Sequence, residues 1–401
     1  MGKSDPALVR DINRKPRIAV ILMDAGVRHG TANAVHELIR RAQDKYRFIV
    51  ISTRLTEEMR PLAEFLPIPA PNGPFRLRWM IFFVLAGLRL ASARADLIHT
   101  IAPAPLVPNR VDLATVMCSQ AAYYQAAGRA QSAGDWLARL CATWIENHSY
   151  RPGCVRMLSA LAPGGKRELE RHHPGLPVIL TPHVVQVERF YPDEQTRREV
   201  RQELGAGLHE VVACFVNNSY WEHKGLGIAI AGMSRAAQSA PALGALWVVG
   251  SGPVDRFLNI ARAYGIEKRI RFLGYRADME RIYRGADILV HPAQYETFSL
   301  AVHEAAASGL PVIATRTNGP EDLLEDGQAG ILVDRTEEAV AEALILLTRD
   351  PALRARMGSA GRERVLKFGP DRFTACVLDA YRTLLNAPLK SGMSHTFPDL
   401  P

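Results

Sequence analysis

Two glutamates, Glu296 and Glu304, stand eight positions apart in the stretch ETFSLAVHE of this 401-residue chain. The apolar run before them, up to His291, reads as a buried strand, and Pro292 ends it. A short loop follows, and a helix is expected from about Phe298 to Gly309, a good residue to stop one. In open parallel sheets, ligands settle at the carboxyl ends of strands, where this loop lies. The first turn of such a helix presents unpaired N–H groups, expected here at Phe298, Ser299 and Leu300, and these favour an anion. Glu296 and Glu304 would add carboxylates able to hold hydroxyl groups. Taken alone, the pair has a plainer reading. Glu296 would favour the helix N-terminus by roughly 0.3–1 kcal/mol, and Glu304 would sit on a solvated face.

Two further stretches point at the same crevice. VNNSYWEHKGLGIAI (216–230) places Lys224 and Gly225 between a strand and a helix. A lysine there can neutralise a diphosphate, and the glycine lets backbone approach closely. WVVGSGP (247–253) places Gly250 and Gly252 after the next strand, where a plain turn would also ask for glycine. No Asp-x-Asp or histidine cluster stands out at metal-ligand spacing. The five cysteines form no CxxC pair, which fits a reducing cytosol rather than a disulfide framework.

The elements that must hold these residues are short apolar runs alternating with helical patterns. RIAVILM, RFIVIST, ADLIHTI, CVRMLSA and PVILTP read as strands of the first half. VVACFVN, ALWVVGSG, IRFLGY, ADILVHP, LPVIATR and AGILVD read as strands of the second. TANAVHELIRRAQ, LGIAIAGMSRAAQ and TEEAVAEALILLTRD read as helices between them. This alternation predicts parallel sheets covered on both faces, twice over. The length favours two domains, as does a 48% hydrophobic content. Pro192 and the charged cluster around it mark the expected boundary.

Charge is uneven. Residues 1–195 hold 25 Lys and Arg against 17 Asp and Glu, whereas residues 196–401 hold 24 of each. A basic first half suits an anionic substrate or surface. Its basic residues are dispersed and match no nucleic-acid-binding pattern, so no nucleic-acid partner is expected. RLRWMIFFVLAGLRLASAR (76–94) has ten central apolar residues, too few to cross a bilayer. It reads first as a packed helix, and second as a helix lying in a membrane interface. Tyr123, Tyr124, Trp136 and Trp144 read as residues that pack helices together. The apolar run before Asp24 is too short for the core of a signal peptide.

In this frame the second half, roughly 210–335, resembles the donor domain of retaining glycosyltransferases of family 4, which have the GT-B fold. Glu296 and Glu304 match the family's Glu-x7-Glu, within HPAQYETFSLAVHEAAASGLPVIATRTNGPEDLL. HKG, VVGSGP, FLGY and YRGADILVHP stand in the family's order and spacing. The first half resembles it more loosely, through MDAGVRHGTANAVHELIRR and ERFYP. The last helical pattern resembles the helix that crosses back onto the first domain.

The resemblance implies an α/β GT-B protein with two doubly wound Rossmann-like domains facing a cleft. An acceptor-binding domain would span 1–190, with the returning helix at 371–387. A nucleotide-sugar donor domain would span 191–370, and a loose tail 388–401. The implied partners are a nucleotide-sugar donor and a glycan or lipid-linked acceptor, in the cytoplasm or at the inner membrane face, and the implied transfer needs no metal or other cofactor. Glu304 would hold ribose hydroxyls. Glu296 would bind the transferred sugar and stabilise positive charge at its anomeric carbon. Lys224 and the N–H groups at Phe298, Ser299 and Leu300 would stabilise the leaving diphosphate. Gly250 and Gly252 would line the donor site. Gly30 would let backbone approach from the other domain, and His99 would serve the sugar or acceptor side.

Three positions depart from the family. Asn218 stands where an arginine is usual, six residues before the lysine, so the diphosphate would be held more weakly or by another residue. Ile101 stands where a second histidine often follows, and His183-Val184 replaces Asn-Gly. A scaffold that binds nucleotide-sugar or glycan without turnover is therefore the second reading.

Overall fold

The computed structural model describes residues 14–27, 30–69, 75–101, 111–128, 132–218 and 221–386. The tail expected at 388–401 lies outside them.

The first parallel sheet has seven strands: β1 (Arg17–Ile21), β2 (Arg47–Ser52), β3 (Ala63–Pro67), β4 (Leu97–Ile101), β5 (Val111–Thr115), β6 (Val155–Ala160) and β7 (Val178–Leu180), in the order 3-2-1-4-5-6-7. Its helices are α1 (Gly30–Ala42), α2 (Phe75–Ala93), α3 (Gln120–Ala126), α4 (Ala133–Ser149) and α5 (Pro163–His172). The second has six: β8 (Val211–Val216), β9 (Leu243–Val249), β10 (Ile270–Gly274), β11 (Ile288–His291), β12 (Val312–Thr315) and β13 (Gly330–Val333), in the order 10-9-8-11-12-13. Around it run α6 (Glu194–Glu203), α7 (Leu226–Ser239), α8 (Val254–Ala263), α9 (Met279–Gly285), α10 (Leu300–Ala307), α11 (Pro320–Leu324), α12 (Glu337–Arg349), α13 (Pro351–Val365) and α14 (Pro370–Asn386).

Both sheets are doubly wound, and each reverses its strand order once: between β1 and β4, and between β8 and β11. A crevice opens at the carboxyl ends of strands at such a reversal. The loop after β1 leads to Gly30. Those after β8 and β11 carry Lys224 and Glu296.

The strands form where apolar runs can be buried on both faces. Ile18, Ala19, Val20 and Ile21 are all fully buried, as are Leu289 and Val290. Ile18 and Val20 face α1 and α14, whereas Ala19 and Ile21 face α2. The last helix, α14, returns to the first sheet. Its Phe373, Val377, Ala380, Tyr381 and Leu384 share one core with Val35, Leu38 and Ile39 of α1.

The sequence reading missed β3 and β5, whose carboxylates interrupt the apolar run. Glu64 at the sheet edge pairs with Arg17 at 3.0 Å. Asp112 accepts from the Ile98 backbone N–H at 2.9 Å and from Arg156 at 3.0 Å. A buried carboxylate is tolerated there because neighbouring donors satisfy it.

Candidate functional site

Lys224, Glu296 and one unexpected residue, His291, converge. The Lys224 ammonium donates to Glu296 Oε1 at 2.7 Å and to the Tyr295 carbonyl at 3.1 Å. His291 Nε2 donates to the same carboxylate oxygen at 2.6 Å. Burial alone would raise the Glu296 pKa. The charge on Lys224 and the hydrogen bond from His291 outweigh it and hold the group at about 2. Glu296 is thus a carboxylate across the ordinary pH range.

A close contact between two loops fixes this geometry. Gly225 follows Lys224 at φ 82°, and a Cβ there would lie 2.2 Å from the Pro292 carbonyl oxygen. Only glycine lets the turn carrying Lys224 press against the loop carrying Glu296.

The helix that follows begins later than expected. α10 starts at Leu300, and Ser299 takes a left-handed φ of 63° before it. The free N–H groups of the first turn therefore belong to residues from Leu300 onward. Phe298 is not at the helix start. Its ring is buried, stacked on His303 at 3.8 Å between centroids and on His183 at 5.8 Å. The Ser299 hydroxyl lies 3.2 Å from His291 Nε2. Phe298 and Ser299 thus brace the loop, and Leu300 alone of the three faces the cleft.

That cleft encloses about 500 Å³ and is lined from both domains. Gly30 and Asn33 come from the first. Asn218, Gly250, Leu300, Ala301, Glu304 and Arg276 come from the second, and Arg189 comes from the segment that joins the two sheets. Gly30 has φ 55°, and a Cβ there would meet nothing within 4 Å, so it faces open space. Asn218 Oδ1 accepts from the Ser251 N–H at 3.2 Å, tying the loop after β8 to the glycine turn after β9. Gly250 has φ 121°, and a Cβ would fall 2.0 Å from the Asn217 carbonyl oxygen. Gly252 differs from the expectation: it packs on the buried Trp221 ring and is absent from the cleft lining. Lys224 and Glu296 are not among the residues that line it. Tyr295 and Thr297, flanking Glu296, border a separate space of about 10 Å³.

Glu304 sits in this wall as expected, but in an unusual state. Burial pushes its carboxyl up to about 7, against the opposing pull of Arg189 and the nearby Tyr283 hydroxyl. Arg189 and Arg276 are the cations that sequence reasoning missed. Arg189 is braced by Glu280 at 2.8 Å, and Arg276 by Asp278 and Glu203. They supply positive charge to a cleft in which Asn218 carries none.

His99 does not join the site, and its expected role is withdrawn. It is fully buried, its Nδ1 is 2.8 Å from the Tyr381 hydroxyl, and its Nε2 is 2.8 Å from the Thr115 hydroxyl. Burial lowers its pKa to about 3, so the imidazole is neutral. It couples β4 to α14. Tyr381→Phe should therefore cost about 1–3 kcal/mol of stability by stranding a ring nitrogen. Nucleotide affinity should stay unchanged, and thermal melts with and without nucleotide separate the two effects.

Two doubly wound sheets facing a shared cleft define the GT-B fold. Solved structures carry the same fold. WaaG, a glycosyltransferase involved in lipopolysaccharide biosynthesis, aligns over 90% of this chain and 98% of its own, with TM-score 0.77 and 18% identity. HepE of Anabaena, solved with UDP-glucose, aligns over 92% of this chain and 100% of its own, with TM-score 0.72 and 17% identity. Residues 196–364 match the family of glycosyl transferases group 1. A D-inositol 3-phosphate glycosyltransferase of Corynebacterium glutamicum (strain R) is 36% identical over 220 residues, covering 52% of each chain. The chain spans about half the length of the curated relatives it matches.

Proposed function

We propose that this protein is a retaining glycosyltransferase that moves a sugar from a nucleotide donor to a glycan or lipid-linked acceptor in the cytoplasm. The observation that carries the reading is the cleft of about 500 Å³, lined by Gly30 of one domain and by Glu304 and the first turn of α10 of the other. The donor's ribose would lie against Glu304. Its diphosphate would meet the α10 N-terminus, Lys224, and the guanidinium groups of Arg189 and Arg276. Glu296 would hold the transferred sugar.

In the reaction, the bond from the anomeric carbon to the diphosphate oxygen breaks, and its electron pair leaves with the nucleotide. The acceptor oxygen bonds to that carbon on the same face. Its proton passes to the departing phosphate. Lys224 and the helix N–H groups oppose the negative charge that develops, and Glu296 the positive charge on the sugar. Domain closure would bring the Lys224–Glu296 pair, which does not line the cavity in this structure, against the donor. This scheme uses no metal ion, so chelator should leave turnover unchanged.

The test is a thermal-shift panel of UDP, GDP, ADP and dTDP with their common sugars, followed by nucleotide release. A ligand at 100 times its Kd raises stability by about 2.7 kcal/mol. Stabilisation by one nucleotide, with slow release of that nucleotide from its sugar donor, supports the reading. Binding without release would move the protein to a scaffold that holds nucleotide-sugar, and no binding would overturn the transferase reading and leave only a glycan-binding scaffold.

A further inference from the structure

Two helices on one face of the first sheet turn apolar stripes toward solvent. α2 buries Phe82, Phe83, Ala86 and Leu90 against Ala19 and Ile21. Its other side exposes Met80, Val84 and Leu88, the last at 60%. These are spaced i, i+4, i+8 and form one line along the helix. α4 ends at Tyr150, which packs in the core of Ala114 and Leu158, and Ile98 borders both this core and that of α2. The two helices therefore cover the same sheet face.

α4 inverts the usual pattern of a surface helix, which places charge outward. Trp136 and Trp144 are 58% and 63% exposed, with Leu137 and Leu140 beside them. No charged residue occupies an exposed position of α4. Asp135 and Arg139 pair with each other at 2.9 Å, and Glu146 is buried. The expectation that both tryptophans pack helices together is corrected here. Ile145, Glu146 and Ser149 are the buried residues of α4, and the Trp144 ring stacks on His148 of its own helix rather than on a neighbouring one. The exposed apolar area is on the order of several hundred Å², the range that marks an interaction site.

We propose that the outward faces of α2 and α4 dock this domain on an anionic lipid bilayer. The charges around the stripes select this occupant. All four charged residues of 75–94 are arginines, and Arg89 and Arg94 are exposed. Arg151, just past α4, and Arg171, at the end of α5, are exposed as well. Facing a second copy, these cations would repel their counterparts. Against anionic headgroups they attract, while the tryptophans settle at the interface. A sugar-stacking platform would need a free ring face with several polar groups around it, whereas Trp144 already stacks on His148 at 5.1 Å between centroids, and Leu137, Leu140 and Cys141 are exposed on the same helix. Among the described residues no helix is long and apolar enough to cross a membrane, so this contact lies on the surface. The docked face also adjoins the cleft. Neighbouring α3 touches the donor loop through Tyr123 against Tyr295, and Gln294 donates to the Ala126 carbonyl at 2.8 Å.

The experiment is vesicle co-sedimentation of the full chain without nucleotide, so its outcome is independent of the transferase reading. Wild type should bind phosphatidylcholine vesicles containing phosphatidylglycerol, and bind at least tenfold less to phosphatidylcholine alone. W136S/L140S/W144S and M80S/V84S/L88S should each lose binding at least tenfold while melting as wild type does. Brominated lipid should quench wild-type tryptophan emission. W136F/W144F should keep binding but lose most of the quenching. The proposal is overturned if wild type ignores anionic vesicles at low salt, or if both serine variants bind as wild type does. A wild-type dimer that the serine changes dissociate, without vesicle binding, also overturns it and assigns the face to a second copy. If the serine variants are unfolded, the quenching lost in W136F/W144F decides: unchanged quenching refutes the contact.

Discussion

Lys224→Met should lower turnover by about 10²–10³-fold, the loss expected when one preorganised donor to a developing anion is removed. It should also destabilise the protein by about 3 kcal/mol, the lower end of what stripping one partner from a buried pair costs. The side chains of Lys224 and Glu296 are 18% and 11% exposed, so Glu296 would be left in a poorly solvated site with only His291. The two effects come apart in the double variant. Lys224→Met with Glu296→Gln should recover much of the lost stability, because no carboxylate remains to be stranded. It should recover no turnover. A double variant that regains activity with stability would make the pair a structural brace and remove it from the mechanism.

The same pair predicts an acid profile. Glu296 titrates at about 2 in the fold, below the ordinary 4.5. A depressed carboxylate contributes stability that is full above 4.5 and is lost as pH falls toward about 2. The charge on Lys224 is the largest of the causes that lower the Glu296 pKa, ahead of the hydrogen bond from His291. The melting difference between wild type and Lys224→Met should therefore be widest near neutrality and close between pH 4.5 and 2. A constant gap across that window would mean that Lys224 does not set the charge state of Glu296.

Glu296, Lys224 and Glu304 were legible in the sequence because each lies in a loop or first turns after a buried strand, in a fixed order. The flanking runs made the strands legible too, since parallel strands covered on both faces are apolar throughout. What failed did so for identifiable reasons. β5 hid because Asp112 is satisfied by partners 14 and 44 residues away. The start of α10 slipped because Ser299 takes a positive φ that no propensity suggests for serine. His291 is the last residue of β11 and read as part of an apolar run. Its place at the strand's carboxyl end, five residues before Glu296, was the available signal. Arg189 stands in the noted ERFYP, but nothing local separates a cation that lines a cleft from one on a solvated surface. His99 and the two tryptophans of α4 show the converse: side chain type suggested a role, and the packing of distant elements reversed it.

Glu304→Gln should weaken nucleotide binding by about 10–100-fold, from the roughly 1.5–3 kcal/mol carried by hydrogen bonds to a charged group. Wild-type affinity should also depend on pH in a way the variant lacks. Burial holds Glu304 at about 7, so below neutrality much of it is protonated. If the ribose hydroxyls donate to the carboxylate, binding must expel that proton. Affinity would then rise by up to tenfold per unit as pH increases to about 7, and level off above. The glutamine variant should show a flat profile. In the empty protein the sign is opposite. A carboxyl raised above its ordinary 4.5 contributes stability that is present below 4.5 and lost as pH rises through about 7. Wild type should thus lose stability across that window relative to Glu304→Gln, while gaining affinity for nucleotide. Calorimetric titration between pH 5.5 and 8, paired with melts of the empty proteins, reads both. Equal pH dependence in the two proteins would show that Glu304 does not meet the nucleotide. A wild-type affinity that falls toward pH 8 would show that the protonated acid is the form that binds. The first result would leave the cleft's arginines and the α10 N-terminus as the groups that hold the donor; the second would make Glu304 a hydrogen-bond donor to it.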